Sequence, residues 1–244
     1  MTVQQALICK GCWQTMRMPI ALRGPLSLPF RVMGLKPSRI NPNLCTLCEL
    51  MFTRVMKATK ITVDATILFA DLRAYTSLSQ QLSPTEMGGV LDIFYDECAE
   101  AIWEHDGLLN KTIGDAVMAV FNFPVKQKDH ARQAVLAGRA IQVRVAARHD
   151  EFAALIGESG GTVGVGVGID SGELSFGEFG RSHKDLTAIG TVVNTAARAQ
   201  AAAAPGEVLV TEKVYERARD DLAASTSKPY TLKGFEQPVS LYAA

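Results

Sequence analysis

The chain has 244 residues, 48% of them hydrophobic and 20% charged, and its 25 Lys+Arg balance 25 Asp+Glu. A chain of this size and apolar content can bury roughly 70% of its unfolded surface around a substantial core, which excludes disorder. No stretch reaches the run of about 18 uncharged apolar residues needed to cross a bilayer, and Met1–Leu7 lacks the basic start of a secretion signal, so a cytoplasmic globular protein is expected.

The zero net charge conceals an asymmetry. Residues 1–60 hold nine Lys/Arg against one acid, Glu49, so this leader carries +8 and residues 61–244 carry −8. A basic arm of this kind suits an anionic membrane surface, nucleic acid, docking on the chain's own acidic part, or simple solvation. Nucleic acid is disfavoured, because Trp13, Phe30 and Phe52 lack the regular interleaving of a stacking platform. Pro19, Pro25, Pro29, Pro37 and Pro42 break the leader into irregular pieces and leave only Leu47–Lys57 for a short helix. The leader also holds Cys9-x-x-Cys12 and Cys45-x-x-Cys48, with 32 residues between the pairs. Four thiolates at this spacing could bind one Zn²⁺; a redox pair at Cys45/Cys48 and plain reduced thiols are the alternatives.

A domain boundary is expected near residue 60, with a second unit over 61–244. Ala65–Ala70 is an apolar run that reads as a buried strand ending at Asp71, followed by a helical turn through Leu78. Ser83-Pro84-Thr85-Glu86 spells a helix start with a capping box, and the three- and four-residue spacing of Met87, Val90, Leu91, Phe94, Cys98, Ala101 and Ile102 gives that helix one apolar face. Leu108–Ile113 and Ala116–Phe121, separated by Gly114-Asp115, predict a hairpin. Asp129–Ile156 is helix-forming. Thr162–Ile169 alternates Val with Gly and predicts a strand with close backbone approach on one face, turned back at Ser171-Gly172 towards Leu174–Phe179. A helix over Thr191–Ala203, a strand over Glu207–Thr211, a helix over Glu212–Ala218 and strands over Tyr230–Lys233 and Val239–Tyr242 complete an α+β chain.

Asp71 at a strand end and Asp115 at a hairpin tip can converge on one sheet edge. Two such carboxylates suit divalent cations bound together with nucleotide phosphates, although a turn aspartate is more often only a turn residue. Asn194 and Arg198, at i and i+4, share one helical face.

Three blocks carry a resemblance: Phe69-Ala70-Asp71-Leu72-Arg73-Ala74-Tyr75-Thr76, Lys111-Thr112-Ile113-Gly114-Asp115-Ala116, and Thr187-Ala188-Ile189-Gly190-Thr191-Val192-Val193-Asn194-Thr195-Ala196-Ala197-Arg198. In this order the chain resembles class III nucleotidyl cyclase catalytic domains over 61–244. The resemblance implies a ferredoxin-like palm, an antiparallel sheet covered by helices. It implies that Asp71, Asp115 and the backbone carbonyl of Leu72 bind two Mg²⁺ or Mn²⁺ per site, and that Asn194 and Arg198 stabilise the transition state. Lys111 and Thr187 match the base-reading positions, with Asp185 as a fallback acceptor, and Lys233 matches a triphosphate contact. A lysine only donates and a threonine hydroxyl can accept, which fits the N1 and N6 edge of adenine and points to ATP. Ala74-Tyr75 stands where Gly-Phe is more usual, beside the triphosphate turn. In such enzymes the aspartates and the Asn–Arg pair come from different subunits, so a homodimer forming cyclic AMP is expected. A catalytically silent nucleotide-binding or dimerisation module is the alternative.

Overall fold

Strands whose two faces are both covered by helices produce near-continuous apolar runs, and the centre of this chain is built from two of them. The computed structural model describes residues 6–73, 75–157, 163–182 and 184–244. Ala74 and Thr162 lie outside the described residues. The strands are β1 (Ile61–Arg73), β2 (Leu108–Ile113), β3 (Ala116–Phe121), β4 (Gly164–Phe179), β5 (Asp185–Ile189), β6 (Val208–Thr211), β7 (Ser227–Tyr230) and β8 (Val239–Ala243). They form one sheet in the order β2-β3-β1-β4-β6-β8-β7, with β5 paired to β4 off that path. Among the described residues only the β4–β6 pairing is parallel. The helices are α1 (Lys10–Met16), α2 (Leu28–Val32), α3 (Thr46–Ala58), α4 (Tyr75–Gln81), α5 (Pro84–Glu104), α6 (His130–Ala147), α7 (His149–Ile156), α8 (Thr191–Ala202), α9 (Glu212–Arg217) and α10 (Arg219–Leu222). The mixed α+β architecture, a largely antiparallel sheet flanked by helices, is the one expected.

Successive side chains of a strand point to opposite faces, and β1 divides its residues accordingly. Leu68, Ala70 and Leu72 enter the core shared with Phe94 of α5 and Ile141 of α6. Ile67 and Phe69 enter a second core with Phe176, Val192 and Ala196, on the α8 side. The Val–Gly alternation of β4 has the same origin. Val165, Val167 and Ile169 join the α5–α6 core, while Gly168 lies directly beneath the α8 backbone. The capping box of α5 is present, with the Glu86 amide donating to Ser83 Oγ at 3.3 Å and the Ser83 amide donating to Glu86 Oε2 at 2.8 Å.

Four local expectations change. β4 does not turn at Ser171-Gly172: it pairs with β1 continuously from Gly164 to Phe176, and the Ser171 hydroxyl bonds Thr66 Oγ1 at 2.8 Å inside the sheet. Unbroken pairing with the central strand outweighs a local turn signal. The helix read over 129–156 is two, divided at Arg148. β5 was not anticipated. The strand read over Tyr230–Lys233 lies at Ser227–Tyr230, which leaves Lys233 in the following turn, where Gly234 has φ 90°.

The leader is less irregular than its prolines suggest. α3 covers the stretch read as a helix over Leu47–Lys57, but α1 and α2 form as well, α2 with Pro29 in its first turn where no intrahelical N–H bond is lost. Cys9, Cys12 and Cys45 are buried with Ile20, Leu22, Leu44 and Val125.

Candidate active site

Asp71 sits near the end of β1, opposite Ala116 of β3 on one side and Gly166 of β4 on the other. The turn between β2 and β3 brings Asp115 beside it: the Leu72 amide donates to the Asp115 carbonyl at 3.2 Å. Gly114 supplies the left-handed residue of that turn, φ 60°, and the Tyr95 hydroxyl from α5 donates to its carbonyl. The hairpin tip is therefore tied to both a strand and a helix. Burial and the Asp115 charge push the Asp71 carboxyl up to about 6, against the pull of Arg73. With burial and a neighbouring carboxylate both raising the proton affinity of Asp71, added positive charge is favoured there, and the hard oxygens of the pair suit a divalent cation.

Arg73 escapes a reading of β1 that ends at Asp71. Its guanidinium lies 3.3 Å from Asp71 Oδ1 and donates to the Gln200 carbonyl in the last turn of α8. A Cβ on Gly166 would lie 1.8 Å from Arg73 Nη2, so glycine is what lets the guanidinium cross β4. The signal was available in sequence, because residues i and i+2 of a strand share a face.

Lys111 reaches from β2 to β5 and forms an ion pair with Asp185. Thr187, on the same strand as Asp185, donates to Asn110 Oδ1 at 3.5 Å. The register of β2 against β3 shifts between Leu109 and Lys111, and such a bulge re-aims a side chain. Here it turns Asn110 towards β5, where its amide donates to the Leu186 carbonyl at 3.1 Å. Asn110 was not anticipated; an Asn within a strand, next to a functional Lys, is the signal it left. The structure thus brings Lys111, Thr187 and Asp185 together, with Asp185 rather than Thr187 as the direct partner of Lys111.

Asn194 and Arg198 both lie exposed on α8, one turn apart. Val192 and Ala196, on the opposite side of the helix, pack into the sheet. Among the described residues no hydrogen bond or ion pair joins Asn194 or Arg198 to Asp71 or Asp115. Lys233 is exposed too, next to Leu232, which packs with Ala199 of α8 and with Ala203 just beyond its end.

The four leader cysteines converge elsewhere. Cys12 Sγ lies 3.4 Å from Cys48 Sγ and 3.6 Å from Cys45 Sγ, and all four sulfurs fall within 4.8 Å of one another. Hydrogen bonds from Cys48 and Cys9 lower the Cys45 thiol's pKa, while burial raises that of Cys12. The set can hold a metal ion.

A flanked sheet with paired carboxylates at a strand end and hairpin tip places the chain among nucleotide cyclases. Residues 57–243 match the family described as "Adenylate and Guanylate cyclase catalytic domain", and the chain belongs to it. An adenylate cyclase of Anabaena cylindrica is 32% identical over 184 residues, covering 72% of this chain and 36% of that protein. An uncharacterized protein of Mycobacterium tuberculosis is 29% identical over 180 residues, covering 72% of this chain and 31% of its own length. The chain thus spans only about a third of these relatives (36% and 31%). Among solved structures, the adenylyl cyclase CyaB from P. aeruginosa superposes with TM-score 0.69 at 28% identity, over 76% of this chain and 95% of that one. The guanylyl cyclase Cya2 gives TM-score 0.69 at 27% identity, over 75% and 92%. Both nucleotide preferences occur at equal structural distance, so the similarity defines a cyclase domain, a lyase fold, without choosing the base.

Proposed function

We infer that the chain is an adenylate cyclase, converting ATP to 3′,5′-cyclic AMP and pyrophosphate at sites shared between two copies. The observation that carries the base assignment is Lys111 on edge strand β2, reaching the strand that bears Thr187 and Asp185. An ammonium can only donate, which suits adenine N1; Thr187 or Asp185 can accept from the N6 amino group. Guanine, with a donor at N1 and an acceptor at O6, would ask for the reverse.

Asp71, Asp115 and the Leu72 carbonyl would hold Mg²⁺ or Mn²⁺, two per site, which when bound acidify the ribose 3′-hydroxyl and offset phosphate charge. In the reaction the 3′-oxygen forms a bond to the α-phosphorus as the bond to pyrophosphate breaks. Arg198 presents several donors in a planar fork to the charge gathering on the α-phosphate oxygens. Asn194 orients the ribose. Lys233 binds the triphosphate. Arg73 holds Asp71 in place and links β1 to the end of α8.

The outward face of α8 supports a homodimer, since it leaves Asn194 and Arg198 unpartnered by the carboxylates of their own copy. No helix among the described residues is long and apolar enough to cross a membrane, and we place the protein in the cytoplasm, which suits its five unpaired cysteines. The leader is read as docked on its own catalytic domain rather than on a membrane surface, supported by the Lys10–Asp106 ion pair. Its four clustered thiolates are read as a structural Zn²⁺ site apart from the chemistry.

The test is incubation of purified protein with ATP or GTP and Mn²⁺ or Mg²⁺, with the product identified by mass. Cyclic AMP formed preferentially is expected. Cyclic GMP as the main product would overturn the base assignment, and no cyclic product with either nucleotide would favour the silent module.

A further inference from the structure

We propose that Cys9, Cys12, Cys45 and Cys48 bind a single zinc ion as thiolates, and that this ion locks the leader onto the turn that launches the base-reading strand. The inference rests on the reading of the leader as a zinc site and is independent of which nucleotide is turned over.

The sulfur geometry selects the kind of site. Zinc bonds thiolate sulfur at about 2.3 Å, so a regular tetrahedron has sulfur–sulfur edges of about 3.8 Å. The contacts found are 3.4, 3.6 and 3.6 Å, and no pair exceeds 4.8 Å. A four-iron cluster, with each cysteine on a separate iron, holds its sulfurs further apart. Backbone amides already point at the sulfur: those of Cys12 and Cys45 donate to Cys9 Sγ at 3.4 and 3.2 Å. Gly11 makes the closure possible, since a Cβ there would lie 2.9 Å from Cys48 Sγ and 3.0 Å from Leu44 Cδ2.

The consequence lies two residues from a ligand. Asn43 precedes Leu44 and Cys45, and its side-chain amide donates to Asp106 Oδ1 at 2.8 Å and to the Trp103 carbonyl at 3.0 Å. Asn41, fully buried, donates to the Gly107 carbonyl at 3.0 Å, and Trp103 Nε1 returns a bond to the Ile40 carbonyl at 2.9 Å. Lys10, between the first two ligands, pairs with Asp106. Asp106 is held at φ 58° in this turn, and β2 begins at Leu108, three residues before Lys111. The thiolate knot therefore fixes the loop that fixes the start of β2.

The test uses the full chain. Metal analysis should find one zinc per chain in both the unaltered protein and Asp71→Ala, and a strong loss of zinc in Cys45→Ser. Because a misfolded Cys45→Ser protein would lose zinc as well, the unaltered protein is exchanged into Co²⁺, where a tetrahedral thiolate site gives an intense thiolate-to-cobalt absorption. Hydrogen exchange is then compared before and after zinc removal by a chelator. Faster exchange at 41–45 and 103–108, with 67–70 unchanged, is expected. Absence of zinc together with no cobalt–thiolate absorption, or iron with sulfide, would overturn the site. Zinc present but exchange at 103–108 unmoved by its removal would overturn the docking role alone.

Discussion

Gly168→Ala adds one methyl group at the point where α8 crosses β4. The new Cβ would lie 2.0 Å from Gln200 N, 2.4 Å from the Ala196 carbonyl oxygen and 2.5 Å from Gln200 Cα, all of them backbone atoms with no rotamer to give way. Restoring van der Waals contact requires a separation of about 1.5 Å between α8 and β4, and a misplacement of even about 1 Å can lower turnover about 10²-fold, because Asn194 and Arg198 ride on that helix. Overpacking of this kind costs ~1–3 kcal/mol of stability. Gly172→Ala, in the same strand, is the matched control: its nearest atom is Lys213 Nζ at 3.9 Å. That change should be neutral or stabilise by about 0.4–1 kcal/mol through the unfolded chain. Urea unfolding midpoints and kcat/KM for ATP, measured on both variants, read the two effects. A Gly168→Ala protein with unaltered midpoint and turnover would refute the placement of α8 against β4.

Arg198→Ala should lower kcat about 10²–10³-fold while leaving the urea midpoint unchanged, the signature of a lost transition-state donor. Lys111→Glu alone should impair turnover of both nucleotides, because it sets two carboxylates face to face at Asp185; combined with Asp185→Asn and Thr187→Ala it should shift the ATP:GTP ratio of kcat/KM towards GTP. Burial holds the His130 imidazole below the ordinary histidine value, against the pull of Asp64. The unfolded chain therefore takes up that proton first as pH falls, and its share of stability is lost progressively below about pH 6.5. The urea midpoint of His130→Asn should fall less than that of the unaltered protein between about pH 7.5 and about pH 5.5; equal falls would contradict the assignment.

What the sequence revealed follows from how local each signal is. The capping box at Ser83–Glu86, the Gly114-Asp115 hairpin and the Val–Gly alternation of β4 depend on neighbours within a few residues, and each forms as read. Ser171-Gly172 misleads because its turn chemistry competes with pairing to β1, a partner a hundred residues away in sequence. β5 is only five residues long, too short for its Leu186/Ala188 alternation to stand out; its place comes from β4 and from Asn110 in the β2 bulge. Asp71 and Asp115 stood out because each interrupts core-forming sequence. For Arg73 only the face it shares with Asp71 was legible, because its contact with α8 and the glycine it crosses on the neighbouring strand lie far off in sequence. Four cysteines in two pairs announced a cluster, but its attachment to the Asp106–Gly107 turn runs through two asparagines that carry no motif.

In the proposed dimer one copy supplies Asp71 and Asp115 while its twin supplies Asn194 and Arg198. Asp71→Ala and Arg198→Ala are each purified, confirmed inactive, and mixed in equal amounts under conditions that allow subunits to exchange. Half of the resulting dimers pair one variant with the other, and each of those carries one intact site of two, so the mixture should recover about a quarter of the unaltered cyclic AMP turnover. A mixture that exchanges subunits yet stays at the sum of its two inactive components would contradict the shared site.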